Sequence, residues 1–583
     1  MAVPVTGGAT IVDDGSVTPP GGTPDDDRPT LSVTDAGEVS EGSNAVFTVG
    51  LTHATEAPLT INLGLDLGTV EAGDLGTLTV TYVDSNGATQ TLTVDGDGNV
   101  TVPAGVTSLT VTVATTDDSV YEGDETLSLK VTEAGGVTTN GSTGVTGNAT
   151  IVDDGSVTPP GGTPDDDRPT LSVTDAGEVS EGSNAVFTVG LTHATEAPLT
   201  INLGLDLGTA EAGDLGTLTV TYVDSNGATQ TLTVDGDGNV TVPAGVTSLT
   251  VTVATTDDSV YEGDETFSLK VTEAGGVTTN GSTGVTGNAT IVDDGSVTSP
   301  GGTPDDDRPT LSVTDAGEVS EGSNAVFTVG LTHATEAPLT INLGLDLGTA
   351  EAGDLGTLTV TYVDSNGATQ TLTVDGDGNV TVPAGVTSLT VTVATTDDSV
   401  YEGDETFSLK VTEAGGVTTN GSTGVTGNAT IVDDGSVTTG RHPDDDRPTL
   451  SVTDAGEVSE GSNAVFTVGL THATEAPLTI NLGLDLGTAE AGDLGTLTVT
   501  YVDSNGATQT LTVDGDGNVT VPAGVTNLTV TVATTDDSVY EGDETFSLKV
   551  TEAGGVTTNG STGVTGNATI GWLGHPTGRQ PGR

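Results

Sequence analysis

Apolar residues alternate with threonine or serine along most of the chain. In residues 109–113, for example, the order is Leu109-Thr110-Val111-Thr112-Val113. A period of two is typical of strands with one buried face, and no segment shows the period of a helix. The pattern predicts nine strands in the first 155 residues: Thr30–Thr34, Ala45–Leu51, Leu59–Leu65, Thr77–Val83, Thr89–Val94, Asn99–Val102, Ser108–Ala114, Thr126–Thr132 and Asn148–Val152.

Short polar segments separate these strands. Asp84–Gly87 and Asp95–Gly98 favour tight hairpin turns, because glycine there permits a positive φ. Residues 157–164 are too rich in proline and glycine to form a strand, so they indicate a linker. Eight or nine short strands with regular turns predict an all-β fold, an antiparallel Ig-like β-sandwich.

The same unit is written four times. Thr30–Asp35 returns as Thr170–Asp175, Thr310–Asp315 and Thr449–Asp454, at spacings of 140, 140 and 139 residues. A fixed long period predicts a tandem array of identical domains. We predict the end of a preceding repeat plus linker in residues 1–24, repeat 1 in 25–155, a linker in 156–164, repeat 2 in 165–295, a linker in 296–304, repeat 3 in 305–435, a linker in 436–443, repeat 4 in 444–570 and an atypical tail in 571–583.

Both ends of the chain suggest a longer natural array. Residues 9–24 match residues 149–164, so we expect the chain to start inside a preceding repeat. After Ile570 the repeat pattern gives way to a sequence beginning Gly571-Trp572, which fits a frameshifted copy of the linker codons. The shorter linker at residues 439–443 fits the same shifted frame. We therefore expect the tail to be a frameshift product without a function of its own.

Acidic residues dominate the charge. The chain has 84 Asp plus Glu against 11 Lys plus Arg, a net charge of -73. This excludes nucleic acid as a partner because its phosphates would be repelled, and it implies a cation or a basic surface. Cysteine is absent, so no disulfide can form, but a bound metal can stabilise an extracellular domain instead. No run has transmembrane length, and Met1 opens no signal-peptide pattern, which predicts another export route or a fragment.

The acids are concentrated in a few places in each repeat. In repeat 1 they are Glu41, the segment Asp117–Glu125, the pair Asp153-Asp154 and the triplet Asp165–Asp167. Such dense carboxylates repel one another unless a cation lies among them. Calcium accepts oxygen ligands in irregular loops, whereas zinc and copper prefer His or Cys. His53, the one histidine of repeat 1, is distant from these acids in sequence.

Simpler interpretations stay open beside a calcium site. An acidic loop is often only a solvated surface. Asp95–Asn99 begins like an EF-hand loop but lacks its glutamate at position twelve, so a plain turn is the better interpretation. Glu122 and Glu125 have the chemistry of an acid–base pair, but no aromatic residue near them suggests a sugar site. No Ser/His/Asp or Cys/His set accompanies His53, and we therefore expect no enzyme activity.

Four motifs of repeat 1 occur in the order found in one known family. They are Val39-Ser40-Glu41-Gly42, the Gly68–Asp74 loop, Asp117–Thr126 with its Glu-Gly-Asp-Glu-Thr stretch, and Ala149–Gly155. Through these motifs the chain resembles the Calx-beta family, and the resemblance covers essentially the whole of each repeat. The near-identical acidic copies also look like the extender region of large bacterial adhesins exported by type I secretion.

The resemblance implies calcium at one end of each sandwich. The ligands it implies in repeat 1 are Glu41, Asp74, Asp117, Asp118, Glu122, Glu125, Asp153 and Asp154. The chain departs from the family pattern at two places: the Asp74 loop is one residue short and lacks a Tyr, and the terminal Asp triplet is Asp-Asp-Gly. Because a separate triplet follows at Asp165, Asp166 and Asp167, we infer that this linker triplet completes or bridges a site between adjacent repeats.

The corresponding residues of the other repeats complete the predicted set of metal ligands. They are Glu181, Asp214, Asp257, Asp258, Glu262, Glu265, Asp293, Asp294, Asp305, Asp306 and Asp307; Glu321, Asp354, Asp397, Asp398, Glu402, Glu405, Asp433, Asp434, Asp444, Asp445 and Asp446; and Glu460, Asp493, Asp536, Asp537, Glu541 and Glu544.

The function we expect is structural. Calcium at the repeat ends and linkers would stiffen an extracellular spacer of a bacterial surface adhesin, with calcium ions and neighbouring repeats as its partners. One alternative is an adhesive array whose flank binds polysaccharide or sister arrays, with avidity from repetition. Another is a calcium-sensing regulatory domain of the Calx-beta kind. Direct membrane insertion is not expected.

Overall fold

Four β-sandwiches follow one another along the chain. The structure is a computed structural model that describes residues 7–298, 305–437 and 445–571. These residues confirm the predicted all-β class, and no helix among them is long and apolar enough to cross a membrane. The chain divides into two compact units, with nearly all of repeats 1 and 2 in the first and repeats 3 and 4 in the second. The predicted frameshift tail from Trp572 and the short linker at 439–443 lie outside the described residues.

Repeats 1 and 2 comprise 23 strands. Repeat 1 contains β1 (Leu31–Thr34), β2 (Gly37–Ser40), β3 (Asn44–Leu51), β4 (Leu59–Asp66), β5 (Leu75–Val83), β6 (Thr89–Leu92), β7 (Asn99–Val102), β8 (Ser108–Thr115), β9 (Val120–Tyr121), β10 (Glu125–Thr132) and β11 (Val145–Val152). Repeat 2 contains β12 (Leu171–Val173), β13 (Gly177–Ser180), β14 (Asn184–Leu191), β15 (Ala194–Thr195), β16 (Leu199–Asp206), β17 (Leu215–Val223), β18 (Thr229–Leu232), β19 (Asn239–Val242), β20 (Ser248–Thr255), β21 (Val260–Tyr261), β22 (Glu265–Thr272) and β23 (Val285–Val292).

The strands of repeats 3 and 4 follow the same order. Repeat 3 contains β24 (Leu311–Val313), β25 (Gly317–Ser320), β26 (Asn324–Leu331), β27 (Ala334–Thr335), β28 (Leu339–Asp346), β29 (Leu355–Val363), β30 (Thr369–Leu372), β31 (Asn379–Val382), β32 (Ser388–Thr395), β33 (Val400–Tyr401), β34 (Glu405–Thr412) and β35 (Val425–Val432). Repeat 4 contains β36 (Leu450–Val452), β37 (Gly456–Ser459), β38 (Asn463–Leu470), β39 (Ala473–Thr474), β40 (Leu478–Asp485), β41 (Leu494–Val502), β42 (Thr508–Leu511), β43 (Asn518–Val521), β44 (Asn527–Thr534), β45 (Glu544–Thr551) and β46 (Val564–Gly571).

Each repeat packs two five-stranded sheets face to face. In repeat 1 one sheet has the order β1-β3-β8-β5-β6 and the other β2-β11-β10-β4-β7, and the other repeats have the same two orders. All nine predicted strands are present. Two strands, β2 and the very short β9, were not predicted. Strand β2 pairs with β11 in parallel, so the second sheet is mixed rather than purely antiparallel.

The core lies between the two sheets and explains the alternating sequence. Inward-facing residues such as Phe47, Val111, Leu129 and Ile61 are fully or almost fully buried. Because successive side chains of a strand point to opposite faces, the threonines between them face outward. Repeats 2 to 4 add an edge-to-face aromatic pair, for example Phe187 with Phe267 at 6.0 Å between ring centroids, where repeat 1 has Leu127.

A row of threonines crosses the outer face of the first sheet. Thr34, Thr48, Thr110, Thr81 and Thr91 stand opposite one another on five successive strands. Threonine suits this position because its branched side chain packs well on a pleated surface, and cross-strand Thr pairs add a little stability. The sequence therefore uses threonine as the polar partner of valine in the strand pattern.

The predicted hairpin at residues 95–98 depends on one of its two glycines. Gly98 has φ of 84°, and a Cβ on it would lie 2.5 Å from the carbonyl oxygen of Leu63. Gly96 has open space around its Cβ position. Asp95 accepts hydrogen bonds from the backbone of Asp97 and Asn99 within the turn, so its carboxylate serves the turn.

This difference predicts the effect of alanine at each glycine. Gly98→Ala, made together with its counterparts Gly238→Ala, Gly378→Ala and Gly517→Ala, should cost roughly 1–3 kcal/mol of unfolding free energy per repeat. Differential scanning calorimetry of the whole chain would show a lowered melting temperature. The matched set at Gly96, Gly236, Gly376 and Gly515 should melt like the parent chain. An equal loss in both sets would contradict the steric argument.

Candidate metal centre

The acidic residues of repeat 1 gather at one end of its sandwich because of how strands β2 and β11 pair. The two strands run parallel, so Glu41 just after β2 and Asp153 just after β11 reach the same edge. The backbone N–H of Glu41 donates to the carbonyl of Val152 at 3.1 Å. Gly42 follows with φ of 70°, and a Cβ there would lie 2.8 Å from Cβ of Asp117, so only glycine lets Asp117 approach this closely.

The linker after repeat 1 returns to the same edge. The N–H of Asp165 donates to Ser40 Oγ, and the N–H of Asp167 donates to Asp153 Oδ1, both at 3.3 Å. As a result, carboxylate oxygens of Glu41, Asp153, Asp165 and Asp167 lie within 4.8 Å of one another. We call these four residues the linker cluster. Glu41, Asp153 and Asp167 are buried, and Asp165 is half-buried.

The linker cluster holds more negative charge than its surroundings can compensate. Burial, followed by the charge of Asp153, raises the pKa of Glu41 to about 8. Burial and neighbouring carboxylates raise the pKa of Asp153 and of Asp165 to about 6, and burial also raises the pKa of Asp167. Near neutral pH the cluster therefore needs either a bound proton or a bound cation.

A second group of acids, which we call the loop cluster, lies beside the first. Oxygens of Glu71, Asp74 and Glu122 lie within 4.8 Å of one another, and we include the adjacent Glu125, which is buried. Burial and the charge of Asp74 raise the pKa of Glu122 to about 7. Burial and the charge of Glu122 raise the pKa of Glu125 to about 7 as well. The N–H of Glu122 donates to Asp153 Oδ2 at 2.9 Å, which connects the two clusters.

Two of the predicted ligands face away from both clusters. Asp154 Oδ1 accepts the N–H of Ser156 at 2.8 Å. Asp166 forms a double hydrogen bond with Arg168, at 2.8 and 2.9 Å, and these contacts lower the pKa of each aspartate. Asp294 and Asp434 bind serines like Asp154, and Asp306 and Asp445 bind arginines like Asp166.

Asp117 and Asp118 stand at the border of the linker cluster. Both are exposed, and the N–H of Asp118 donates to Glu41 Oε1 at 3.3 Å. Their charges act on Asp167, and the carboxyl of Asp117 lies within hydrogen-bonding reach of Asp165. Both aspartates can therefore reach a cation in the linker cluster.

The other repeats place their predicted residues in the same way, with two exceptions. In repeat 2 the N–H of Asp258 donates to Glu181, and Asp305 donates to Ser180 Oγ. In repeat 3 Asp433 accepts hydrogen bonds from the N–H groups of Glu402 and Asp446. The first exception is Asp444, which lies outside the described residues. The second is repeat 4, where the sequence has Trp572-Leu573 in place of the Asp pair that accompanies the residues corresponding to Glu460, Asp493, Asp536, Asp537, Glu541 and Glu544.

Sequence reasoning missed three residues near these clusters. Glu71 belongs to the loop cluster, and it stands inside the quoted Gly68–Asp74 motif, so the motif was a usable signal. Glu196 of repeat 2 lies against Glu71, and His193 Nε2 is 3.7 Å from Asp167 Oδ1. Nothing in the sequence signals these last two contacts, because Glu196 and Glu71 belong to different repeats and His193 is distant from Asp167 in sequence.

The donor set fits calcium. Oδ2 of Asp167 and Oε2 of Glu125 are buried and accept no hydrogen bond in the described part of the chain. Calcium takes roughly six to eight oxygen ligands, which the two clusters can supply from carboxylates alone. Such a cation would neutralise charge that no lysine or arginine of the described residues pairs with, and the residues that would hold it are those of the linker and loop clusters.

The comparisons with known proteins agree with the repeated organisation. The family model of the Calx-beta domain matches residues 69–155, 209–295, 349–435 and 489–573. No curated protein matches the chain.

Three solved structures illustrate the range of structural neighbours. CBD12 from CALX1.2 is 14% identical over 45% of this chain and 99% of its own, with a TM-score of 0.17. The CupB6 tip adhesin from Pseudomonas aeruginosa is 15% identical over 46% and 97%, also with a TM-score of 0.17. The cadherin-like domains 1 to 4 of zebrafish RET are 9% identical over 92% and 98%, with a TM-score of 0.18. At such low scores these likenesses carry no argument about function.

The raised pKa values predict how stability depends on pH without calcium. A carboxyl whose pKa is higher folded than unfolded binds more protons in the folded state between the two values. For Glu41, with a pKa of about 8 folded against 4.5 as the ordinary value, stability should fall as pH rises from 4.5 to 8. Calcium-stripped protein should therefore melt at a higher temperature at pH 5 than at pH 8.

A substitution at the same glutamate separates this effect from general acid sensitivity. The variant Glu41→Gln, Glu181→Gln, Glu321→Gln and Glu460→Gln imitates the protonated form at every pH. Its melting temperature should change less between pH 5 and pH 8 than that of the parent chain. A parent chain that is more stable at pH 8 in the absence of calcium would contradict the prediction.

Proposed function

The chain belongs to the Calx-beta domain family, whose members are calcium-binding domains, and from this premise we propose that it is a calcium-stiffened extracellular spacer. In this proposal the tandem repeats form an extender region of a bacterial surface adhesin. Calcium ions bind where each repeat meets its linker, and neighbouring repeats are the partners that the ions hold in place.

The observation that carries the proposal is the composition of the linker cluster. Glu41 and Asp153 belong to the sandwich of repeat 1, whereas Asp165 and Asp167 directly follow the 156–164 linker, at the predicted start of repeat 2. Asp167 is only four residues before strand β12, which begins repeat 2 at Leu171. A cation bound by all four carboxylates therefore fixes the last part of the linker, and with it the start of the next repeat, to the end of the preceding sandwich.

The change from flexible to stiff follows from electrostatics. Without a cation, the ionised carboxylates of the linker cluster repel one another, and this repulsion favours release of the linker. A divalent ion turns the repulsion into attraction, and it stabilises only the conformation in which all ligands are together. Linker stiffness would then depend on the calcium concentration.

An extracellular location is part of the same proposal. Calcium modules outside cells bind with dissociation constants of roughly 10⁻⁴–10⁻³ M, which suits an environment where calcium is abundant. The net charge of -73 keeps neighbouring arrays apart and soluble. A long and stiff array would hold a binding domain away from the cell surface.

We expect calcium to raise the melting temperature of the whole chain. A site occupied at about one hundred times its dissociation constant adds about 2.7 kcal/mol, which corresponds to roughly 5–10 °C for a domain of this size. The variant Asp167→Asn, Asp307→Asn and Asp446→Asn should lose a large part of this rise. Its maximum dimension in small-angle X-ray scattering should also respond less to calcium.

The neighbouring aspartate of each triplet provides the matched control. Asp166→Asn, Asp306→Asn and Asp445→Asn remove the same charge from the same linker, but these carboxylates bind arginines. The control should keep the calcium response of the parent chain. If the melting temperature of the parent chain is the same with calcium and after calcium removal, the acidic clusters are solvated surface and the proposal fails.

A further inference from the structure

Repeats 1 and 2 meet through a short pair of parallel strands. Strand β9 (Val120–Tyr121) of repeat 1 pairs with β15 (Ala194–Thr195) of repeat 2. The N–H of Glu196 then donates to the carbonyl of Tyr121 at 3.0 Å. Because Glu122 follows Tyr121 directly, this pairing places the backbone of Glu196 beside the loop cluster of repeat 1.

Among the described residues the pairing occurs at junctions where one repeat follows another. In repeat 1, Ala54 and Thr55 correspond to β15 but form no strand, and this sequence has no complete repeat before them. In repeat 4, Val539 and Tyr540 correspond to β9, form no strand, and leave Tyr540 72% exposed. The position of Glu196 is therefore a property of the junction and not of the single repeat.

The side chain of Glu196 faces the loop cluster. Its carboxyl lies within hydrogen-bonding reach of Glu71, and its charge acts on Glu122 and Glu125. The same arrangement occurs at the junction of repeats 3 and 4. There the N–H of Glu475 donates to Tyr401 at 3.0 Å, and its carboxyl lies within reach of Glu351.

Glu125 gives an independent indication of a bound ligand. It is only 6% exposed, its Oε2 accepts no hydrogen bond in the described part of the chain, and it belongs to a group of carboxylates that includes Glu196. Its counterpart Glu544 in repeat 4, which has no following copy in this sequence, is partly exposed. A small cavity at that end of repeat 4 is lined by Glu460, Asp493, Glu541 and Glu544.

We propose that Glu196 supplies a ligand, from the following repeat, to a calcium ion held by Glu71, Asp74, Glu122 and Glu125. Glu475 does the same for Glu351, Asp354, Glu402 and Glu405. The ion is thus shared across the junction, separately from the linker cluster. This inference rests on the proposed calcium-binding function and adds a second point at which calcium joins adjacent repeats.

The chemistry favours a divalent cation over a shared proton. Five carboxylates carry five negative charges when ionised, and one proton removes one of them. They offer ten oxygens, more than the roughly six to eight that calcium requires. The backbone hydrogen bond between Glu196 and Tyr121 fixes the incoming side chain, so little additional ordering is needed when the ion binds.

The test compares two variants of the full chain by equilibrium dialysis against ⁴⁵Ca²⁺. The first is Glu196→Gln with Glu475→Gln. The control is Glu56→Gln, the same position in repeat 1, where the sequence has no preceding loop cluster. Glu196 and Glu56 are both exposed, so both variants should fold. Because each site loses a charged ligand, the dissociation constants of two calcium sites per chain should rise about tenfold in the double variant. The dissociation constants of the control should not change.

The outcomes separate this inference from the proposed function. If the double variant binds calcium like the control, the shared site is wrong, while calcium binding in the linker cluster stands. If the parent chain binds no calcium at all, both ideas fail. Thermal unfolding in calcium-free buffer adds a second readout. The double variant should be at least as stable there as the parent chain, because a repelling charge has been removed, and a loss of stability would instead indicate a purely structural role for Glu196.

Discussion

Mutual repulsion among carboxylates at one end of the sandwich is the constraint on which the charged end of a repeat and the linker after it depend. The fold buries Glu41, Asp153 and Asp167 together although the chain has only 11 lysines and arginines for 84 acids. The nearby Arg168 is already bound to Asp166 and does not enter the cluster. The protein therefore contains too little positive charge of its own at this end, and an external cation or a proton has to balance it.

The sandwich tolerates this repulsion because its core is independent of the charged end. Phe47, Val111 and Leu129 are buried between the sheets whatever the state of the acids. The parallel pairing of β2 with β11 belongs to the same stable body, and the strand pairing alone brings Glu41 to Asp153. Among the described residues fewer contacts hold the linker after repeat 1 to the sandwich, chiefly the N–H groups of Asp165 and Asp167 on Ser40 and Asp153 and an isolated bridge between Asp154 and Asp166. Calcium would thus act mainly on the linker and leave the core almost unchanged.

Much of the fold could be predicted because it depends on local sequence. Alternation predicted the nine main strands, and the resemblance to the Calx-beta family implied that the acids gather at one end of the sandwich. Strand β2 was missed because Gly37-Glu38-Val39-Ser40 contains a single apolar residue and so shows no alternation. Strand β9 was missed because it exists only through a partner in the next repeat. The same reason hid Glu196, since a pattern within one repeat contains no information about contacts between repeats, whereas His193 was missed because it is distant from Asp167 in sequence.

Extended-chain geometry could have predicted which aspartates of each pair and triplet face the cluster and which face away. Side chains of consecutive extended residues point to opposite sides. Asp153 therefore faces the cluster while Asp154 faces away, and Asp165 and Asp167 face it while Asp166 faces away. The outward residues bind Ser156 and Arg168 and stabilise the turned linker.

Two separate contacts with the next repeat are mechanically more effective than one. The linker cluster fixes a point on the chain between the repeats, and a single fixed point still allows rotation about it. The parallel pair of β9 and β15, with Glu196 beside the loop cluster, provides a second point on the body of the next repeat. If calcium holds both points, bending and rotation are restricted together.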